Sequence, residues 1–134
     1  MKITVDTNFL ISATQWSYSV SHKLLRRLIE DNHEIFTTNE TLSEFAEILD
    51  RDFKYEKEEI RDKVEKLIAV VKIVQVEDKI NLIKRDPDDN VIIECALASL
   101  SDYVITYDKD LLDIEEYMGI KIVRPDVLLE LLRK

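Results

Sequence analysis

The chain has few of the residues that make turns and crosslinks. Its 134 residues include one Gly, two Pro and one Cys. So few Gly and Pro residues disfavour a turn-rich β-sandwich or β-barrel. Cys95 has no second cysteine with which to form an intramolecular disulfide, so cysteine usage gives no sign of an oxidising compartment.

Long apolar runs are also missing. No stretch approaches the roughly 18 apolar residues that indicate a membrane-spanning helix, and the N-terminus lacks the pattern of a secretory signal peptide. We therefore expect a cytoplasmic protein without a membrane segment. Hydrophobic residues make up 46% of the chain, which predicts a globular rather than a disordered protein. A length of 134 residues fits a single domain over residues 1–134.

Acidic residues outnumber basic ones. There are 19 Lys and Arg residues against 28 Asp and Glu residues, which gives a formal net charge of −9. Bulk electrostatics would therefore repel a polyanion. A nucleic-acid enzyme of this composition needs metal ions at its active site and basic side chains beside it. Six side chains are candidates for binding RNA, with a role in solubility alone as the alternative for each: Lys23, Arg26, Arg27, Lys84, Arg85 and Lys109.

Strands and helices are predicted to alternate along the chain. Five short segments, several rich in β-branched residues, are predicted strands: KITVD, EIFT, VKIVQV (71–76), DYVITYD and KIV (121–123). Apolar residues recur at helical spacing in five others: residues 18–32, a segment from Asn39, residues 55–69, NVIIECALASL and PDVLLELLRK. This alternation predicts an α/β fold, a three-layer α/β/α sandwich around a central parallel sheet.

Four acidic residues lie where predicted strands end or predicted helices begin: Asp6, Glu44, Asp89 and Asp108. Open α/β sheets bind ligands at the carboxyl ends of their strands, so we expect these acids to converge. Two carboxylates about 4 Å apart repel by roughly 4 kcal/mol at an effective dielectric constant of 20, so a cluster of four requires raised pKa values or bound cations. Oxygen ligands alone favour Mg²⁺ or Mn²⁺, and hydrolysis of phosphate esters commonly uses such a site.

The first two acids also have structural alternatives. Asp6 could cap the N-terminus of a following helix. Glu44 could close a capping box with Thr41, by accepting a hydrogen bond from a backbone N–H. A helical wheel places Glu44 at the border of the apolar face and Glu47 further out on the open side, which favours Glu44 as the residue that faces a cleft.

The other acids lie in clusters, so their roles are less distinct. At least one acid of the DPDD segment is expected to cap the helix that follows it. We favour Asp89 as the site acid because it begins that helix, and Asp86 is the alternative. Asp108 and Asp110 could instead cap a short helix in DKDLLDI. Thr106, just before the end of the strand, could orient a water molecule or a carboxylate.

The combination of these motifs resembles the PIN-domain ribonucleases, of the kind found as toxins in VapBC-type toxin–antitoxin pairs. The resemblance covers nearly the whole chain and is carried by four segments: VDTNFLISA, TTNETLSEFAEIL, RDPDDNVIIECALASLSDYVITYDKDLL and IKIVRPDVLLELL. It implies a central parallel sheet in the order 3-2-1-4-5. It also implies cleavage of single-stranded RNA with Mg²⁺ or Mn²⁺, a homodimer and a possible antitoxin partner.

The resemblance also implies roles for individual residues. The positions that match the family's four acids, which hold the metal and act in catalysis, are Asp6, Glu44, Asp89 and Asp108. Supporting polar positions are matched by Asn8, Thr106 and Asp110. One departure is Tyr107, which replaces the small residue of the T-G-D form of the last motif and would narrow the site or change access to it.

Three alternative functions have less support. A haloacid-dehalogenase-like phosphatase needs D-x-D after its first strand, and Asp6-Thr7-Asn8 lacks the second acid. A receiver domain needs an acidic pair at the first strand and a lysine after the last strand, and neither is evident. A PIN-like module that binds RNA or protein without cutting would be expected to lose one of the four acids, whereas this chain retains all four.

Overall fold

The computed structural model describes residues 1–76 and 89–133, with only the backbone of Asp89. The strands of this part of the chain are β1 (Lys2–Val5), β2 (Glu34–Thr37), β3 (Lys72–Ile73), β4 (Tyr103–Ile105), β5 (Glu116–Tyr117) and β6 (Ile120–Val123). Its helices are α1 (Thr7–Gln15), α2 (Val20–Glu30), α3 (Asn39–Arg51), α4 (Lys57–Ile68), α5 (Asp89–Ser99), α6 (Lys109–Leu112) and α7 (Pro125–Leu132).

The strands form one sheet in the order β3-β2-β1-β4-β6-β5. All pairings are parallel except that of β5 with β6. The predicted α/β fold class is confirmed, and the predicted order 3-2-1-4-5 corresponds to the five parallel strands, with β6 as the fifth. The sequence did not indicate β5, because a strand of two residues has no periodicity. The turn between β5 and β6 has positive φ at Met118 and Gly119, as type I′ hairpin turns require.

Helices cover both faces of the sheet. On one face, Ile3, Val5 and Ile105 pack with residues of α1, α2, α3 and α7 in the larger core cluster. On the other face, Val104 and Ile122 pack with residues of α5 and α6. Consecutive residues of a strand point to opposite faces, as the neighbours Val104 and Ile105 do. The result is the predicted three-layer arrangement.

The helices are short, and several differ from their predicted bounds. Helix α3, with 13 residues, is the longest of those described, and no helix in the described part of the chain is both long and apolar enough to cross a bilayer. Helix α1 was anticipated only through a possible cap at Asp6. Helix α2 begins at Val20 because the hydroxyl of Ser19 accepts a hydrogen bond from the backbone N–H of His22.

Helix α3 begins at a buried threonine cap. The side-chain oxygen of Thr38 accepts a hydrogen bond from the backbone N–H of Thr41 at 3.1 Å, and the two hydroxyls lie 3.0 Å apart. Thr38 is fully buried. This cap fixes where α3 leaves the edge of the sheet, and it therefore fixes the position of Glu44 on the second turn.

Removing this cap should destabilise the protein. We expect Thr38→Ala to lower the free energy of unfolding by about 1 kcal/mol relative to Thr38→Ser, because serine keeps the capping oxygen while losing the same methyl group. Urea unfolding measures the difference. Glu56 occupies the capping position of α4 without a side-chain hydrogen bond, so Glu56→Ala should have no measurable effect. Equal stability of the alanine and serine variants would contradict a capping role for Thr38.

Candidate active site at the carboxyl edge of the sheet

A cleft of about 660 Å³ lies at the edge where β1, β2 and β4 end. We call it the acidic cleft. Its lining consists of Asp6, Thr7, Asn8, Asn39, Glu40, Thr41, Ser43, Glu44, Glu47, Val91, Ile92 and Asp108. Most of these residues belong to the first turns of helices, because each parallel strand leads directly into the helix that follows it. The cleft brings together Asp6, Glu44 and Asp108, three of the four predicted acids.

Asp6 lies at the bottom of this arrangement. It follows β1, caps α1 and is only 7% exposed. One carboxylate oxygen, Oδ1, accepts a hydrogen bond of 2.9 Å from the backbone N–H of Phe9. The other, Oδ2, accepts a hydrogen bond from the hydroxyl of Thr106. The predicted alternative, a helix cap, is therefore true of Asp6, and it coexists with the position in the cleft.

Thr106 connects Asp6 to Asp108. Its hydroxyl donates a hydrogen bond to Asp6 and accepts one of 2.9 Å from the backbone N–H of Asp108. Asp108 in turn caps α6, since its Oδ1 accepts from the N–H groups of Asp110 and Leu111 at 2.8 and 3.3 Å. Thr106 is fully buried. The predicted supporting role of Thr106 thus has a structural counterpart in its hold on the Asp6 carboxylate.

The capping-box alternative for Glu44 is wrong. Helix α3 starts at Asn39 and is capped by Thr38, so Thr41 is already the third helical residue and Glu44 lies well inside the helix. The Glu44 side chain is exposed and lines the acidic cleft. The helical wheel was less informative about its neighbour, because Glu47 also lines the cleft.

The pKa of Asp6 reflects this environment. Burial raises the pKa of the Asp6 carboxyl from its ordinary value of 3.8 to about 6, and the charges of Asp108 and Glu44 add to the increase. The hydrogen bonds from Thr106 and from the N–H of Phe9 lower it, but they do not outweigh burial. Hence the ionised form of Asp6, which predominates at neutral pH, is held at a cost that a nearby cation would reduce.

The donor atoms of the cleft suit a hard divalent cation. Carboxylate and hydroxyl oxygens are the ligands that Mg²⁺ and Mn²⁺ prefer, and Asp6 and Asp108 are joined through Thr106. Among the side chains that the structure describes, no three of His, Cys, Asp or Glu are grouped closely enough to hold one ion. The predicted third acid is Asp89, whose side chain, like the whole of Asp86, lies outside the described residues. A complete set of ligands therefore depends on that segment.

Two other predicted supporting residues have different positions. Asn8 lies on the first turn of α1, is exposed and lines the acidic cleft. Asp110 does not line the cleft, and its backbone N–H donates a hydrogen bond to the carboxylate of Asp108. Asn8 therefore remains a candidate for contact with a ligand, whereas Asp110 supports the cap of α6.

Glu40 was not predicted to line the site, and Glu47 was predicted to lie on the open side of the helix. Both belong to the exposed face of α3 that also carries Glu44, and both line the acidic cleft. The spacing of Glu40 and Glu44 could have indicated this, because residues four apart share one face of a helix. It was not specific, since exposed helix faces are commonly charged.

The predicted basic residues that the structure describes are mostly engaged elsewhere. Arg26 pairs with Glu30 at 3.3 Å, and Lys109 pairs with Asp113 at 3.1 Å. Arg27 donates to Asp31 at 2.7 Å and to the main-chain oxygen of Leu132 at 2.6 Å. Lys23 is exposed. These four residues do not line the acidic cleft. Lys84 and Arg85 lie outside the described residues.

The chain was compared with known protein families. The family model described as the PIN domain matches residues 2–110, which is most of the chain and includes all four predicted acids. This chain belongs to the PIN domain family. PIN domains are generally nucleases, and those nucleases typically use divalent metals. A search of curated proteins found no match.

Two solved structures have the same fold. The crystal structure of VapBC2 from Rickettsia felis, bound to a DNA fragment from its promoter, superposes with a TM-score of 0.66 and is 16% identical, covering 92% of this chain and 98% of that one. PAE2754 from Pyrobaculum aerophilum superposes with a TM-score of 0.63, also at 16% identity, covering 100% of this chain and 97% of that one. At such low identity, the likeness establishes the fold.

The burial of Asp6 predicts a stabilising substitution. Since its pKa is higher in the folded protein than in the unfolded chain, the stability that neutral Asp6 provides is complete below about pH 4 and is lost as the pH rises through about 6. The difference between 3.8 and about 6 corresponds to about 3 kcal/mol. We therefore expect Asp6→Asn to raise the free energy of unfolding at pH 8 by about 1–3 kcal/mol in the presence of a chelator.

At pH 4 this gain should nearly disappear, because Asp6 is then neutral in the unsubstituted protein as well. Chemical unfolding at the two pH values measures the change. Asp62→Asn is a suitable control, since Asp62 is an exposed residue of α4 paired with Lys66. A gain that is the same at pH 4 and pH 8 would show that burial of the ionised Asp6 is not its cause.

Proposed function

We propose that this protein is an endoribonuclease that hydrolyses phosphodiester bonds of single-stranded RNA with Mg²⁺ or Mn²⁺. The observation that carries the proposal is a buried carboxylate, Asp6, that shares one cleft with Asp108 and Glu44, so that burial and like charge both oppose its ionised form. Buried carboxylates with perturbed pKa values cluster at functional sites. Membership of a family whose members are generally nucleases supports the same conclusion.

The shared cleft of Asp6, Glu44 and Asp108 supports the proposed roles, and Asp89 is added on the family resemblance. Asp6 and Asp108 would hold the cation together with Asp89, and Glu44 would complete the acidic cleft directly or through water. When bound, the cation would activate water for attack on the phosphate and stabilise the leaving oxygen. Thr106 fixes the direction in which the Asp6 carboxylate faces, because it donates to Oδ2 while Oδ1 is held by the α1 backbone.

The helices around the cleft favour a phosphate group in the same place. The first residues of α1 (Thr7 and Asn8) and of α3 (Asn39 and Glu40) line it. The N-terminus of a helix carries partial positive charge and free N–H groups, which bind anions. In a protein with a net charge of −9, such local fields can bring an RNA phosphate to the acids once the cation has offset their charge.

Basic side chains would hold the rest of the strand. The ion pairs of Arg26 and Lys109 are exposed and involve neighbouring helix residues, and such pairs contribute little stability. Both side chains could therefore exchange their partners for RNA phosphates. Arg27 is less suited to this role, because it also holds the end of α7 through Leu132. Lys84 and Arg85, close in sequence to Asp89, remain proposed contacts.

We further propose that the protein is the toxin of a toxin–antitoxin pair and forms a homodimer. The fold it shares with VapBC2 from Rickettsia felis supports this, as does the PIN domain match. Such a toxin would be held inactive by an antitoxin protein. Co-purification of the chain with the product of an adjacent gene, followed by mass measurement of the complex, would test the partner and the stoichiometry together.

The catalytic proposal predicts metal-dependent cleavage of single-stranded RNA. With Mn²⁺, the unsubstituted protein should cleave at least one member of a panel of end-labelled RNAs, and a chelator should abolish cleavage. Asp6→Asn and Asp108→Asn should each reduce the rate more than the roughly 10–100-fold that loss of a supporting residue costs. Asp62→Asn should cut like the unsubstituted protein. Cleavage that survives either cleft substitution would refute the proposed site.

Metal binding should compete with protonation of Asp6. At pH 8, Mn²⁺ at about 100 times its dissociation constant should stabilise the protein by about 2.7 kcal/mol. The effect should shrink at pH 5, where Asp6, with a pKa of about 6, is mostly neutral, and it should be weak in Asp6→Asn at both pH values. Thermal unfolding measures all four cases. Absence of any Mn²⁺ effect at pH 8 would favour the alternative, a PIN-like module that binds RNA or protein without cutting.

A further inference from the structure

Tyr107 lies between Thr106, the hydrogen-bond donor to Asp6, and Asp108, but it does not itself line the acidic cleft. Its neighbour Thr106 donates to Asp6, and its other neighbour, Asp108, lines the cleft. The Tyr107 side chain instead reaches α2, where its hydroxyl lies 2.6 Å from the hydroxyl of Ser21. The sequence suggested that Tyr107 would narrow the site or change access to it. Tyr107 is not among the lining residues, so it does not narrow the cleft itself.

Ser21 is held in place by burial and by the contacts of its helix turn. It is fully buried on the first turn of α2, and that turn is tied to the last turns of α1. The hydroxyl of Ser19 donates to the main-chain oxygen of Ser12 at 2.9 Å, and the Nδ1 of His22 lies 2.9 Å from the main-chain oxygen of Ala13. Two contacts thus hold the end of α1 against the start of α2, and we call this junction the α1–α2 corner.

These contacts connect residues in a closed ring that begins and ends at Asp6. Asp6 caps the start of α1, the end of α1 is braced to the start of α2, and Ser21 on α2 holds Tyr107. Tyr107 is covalently joined to Thr106, which donates back to Asp6. The hydroxyl pair of Ser21 and Tyr107 is the link that connects the α1–α2 corner to the strand end carrying Asp108.

We propose that Tyr107 is a positioning residue, which fixes the carboxylate of Asp108 relative to that of Asp6 through its hydrogen bond to Ser21. This inference rests on the proposed function for its consequence, because two carboxylates that share a cation must be held at a defined separation. Tyr107 takes part in no chemical step. A small residue at this position would leave the strand end without its tie to α2.

The first test compares Mn²⁺ affinity, measured by calorimetry, in Tyr107→Phe, Ser21→Ala and the double variant. Each single substitution should weaken Mn²⁺ binding by about tenfold or more. The double variant should be no weaker than either single variant, because all three lack the same hydrogen bond. Losses that multiply in the double variant would show that the two hydroxyls act separately and would overturn the proposal.

A matched control separates positioning from general destabilisation. Ser101 belongs to another buried hydroxyl cluster, with Thr4 at 2.8 Å and Ser99 at 2.6 Å, on the approach to the opposite end of β4. Ser101→Ala should destabilise the protein to an extent comparable with Tyr107→Phe and leave Mn²⁺ affinity and the rate of RNA cleavage within about twofold. If Tyr107→Phe also leaves Mn²⁺ affinity unchanged, the hydrogen bond is structural only.

A second test needs neither metal nor RNA, so its outcome is independent of the proposed function. Urea unfolding in a chelator gives the effect of Asp108→Asn on the folding equilibrium constant, alone and combined with Tyr107→Phe. If Tyr107 holds Asp108 against Asp6, the effect of Asp108→Asn should differ at least twofold between the two backgrounds. Additive effects would overturn the positioning role. Absent RNA cleavage in the unsubstituted protein would overturn only the proposed function.

Discussion

The structure of the site depends on one costly feature, an ionisable carboxylate buried at the end of the first strand. Burial opposes the charge of Asp6, and the neighbouring charges of Asp108 and Glu44 oppose it further. The fold reduces this cost in two ways, with a hydrogen bond from the α1 backbone and one from Thr106. Neither restores the ordinary pKa. A cation bound in the cleft would reduce the remaining cost, and the large core over both faces of the sheet allows the protein to tolerate that cost.

Much of this arrangement could be predicted from the sequence because the topology of the sheet determines where the ends of its strands lie. Once strands and helices alternate, parallel pairing places every strand end at one edge, and acids that follow strands must gather there. Asp6 and Asp108 were predictable for this reason. Glu44 was predictable only as one of several acids on α3, because Glu40, Glu44 and Glu47 share an exposed face and sequence spacing alone does not rank them. The third acid, Asp89 or Asp86, stays a prediction.

Other features were not predicted, either because the local pattern was ambiguous or because they depend on contacts between distant parts of the chain. The apparent capping box at Thr41 failed because a second threonine, Thr38, stands three residues earlier and takes the cap. Strand β5 is too short for any pattern. The ion pairs of Arg26 and Lys109 are with residues four positions away and could have been foreseen, but the bond from Arg27 to Leu132 joins helices that are distant in sequence. Local sequence patterns thus located most helices and strands. Contacts between distant parts of the chain, such as that of Arg27 with Leu132, could not be predicted from those patterns.

Tyr107 illustrates the same division within the site. Sequence comparison with the family's last motif marks the residue as unusual, yet it cannot show the reason, because Ser21 lies 86 positions earlier in the chain. In an extended segment, consecutive side chains point in opposite directions. The side chain of Thr106 points toward Asp6 and that of Asp108 toward the cleft, so the side chain of Tyr107 between them must point toward α2. A large side chain at position 107 therefore occupies space beside α2 and not in the cleft, and its hydroxyl forms a hydrogen bond with the buried Ser21. The departure from the family pattern is therefore compatible with an open cleft.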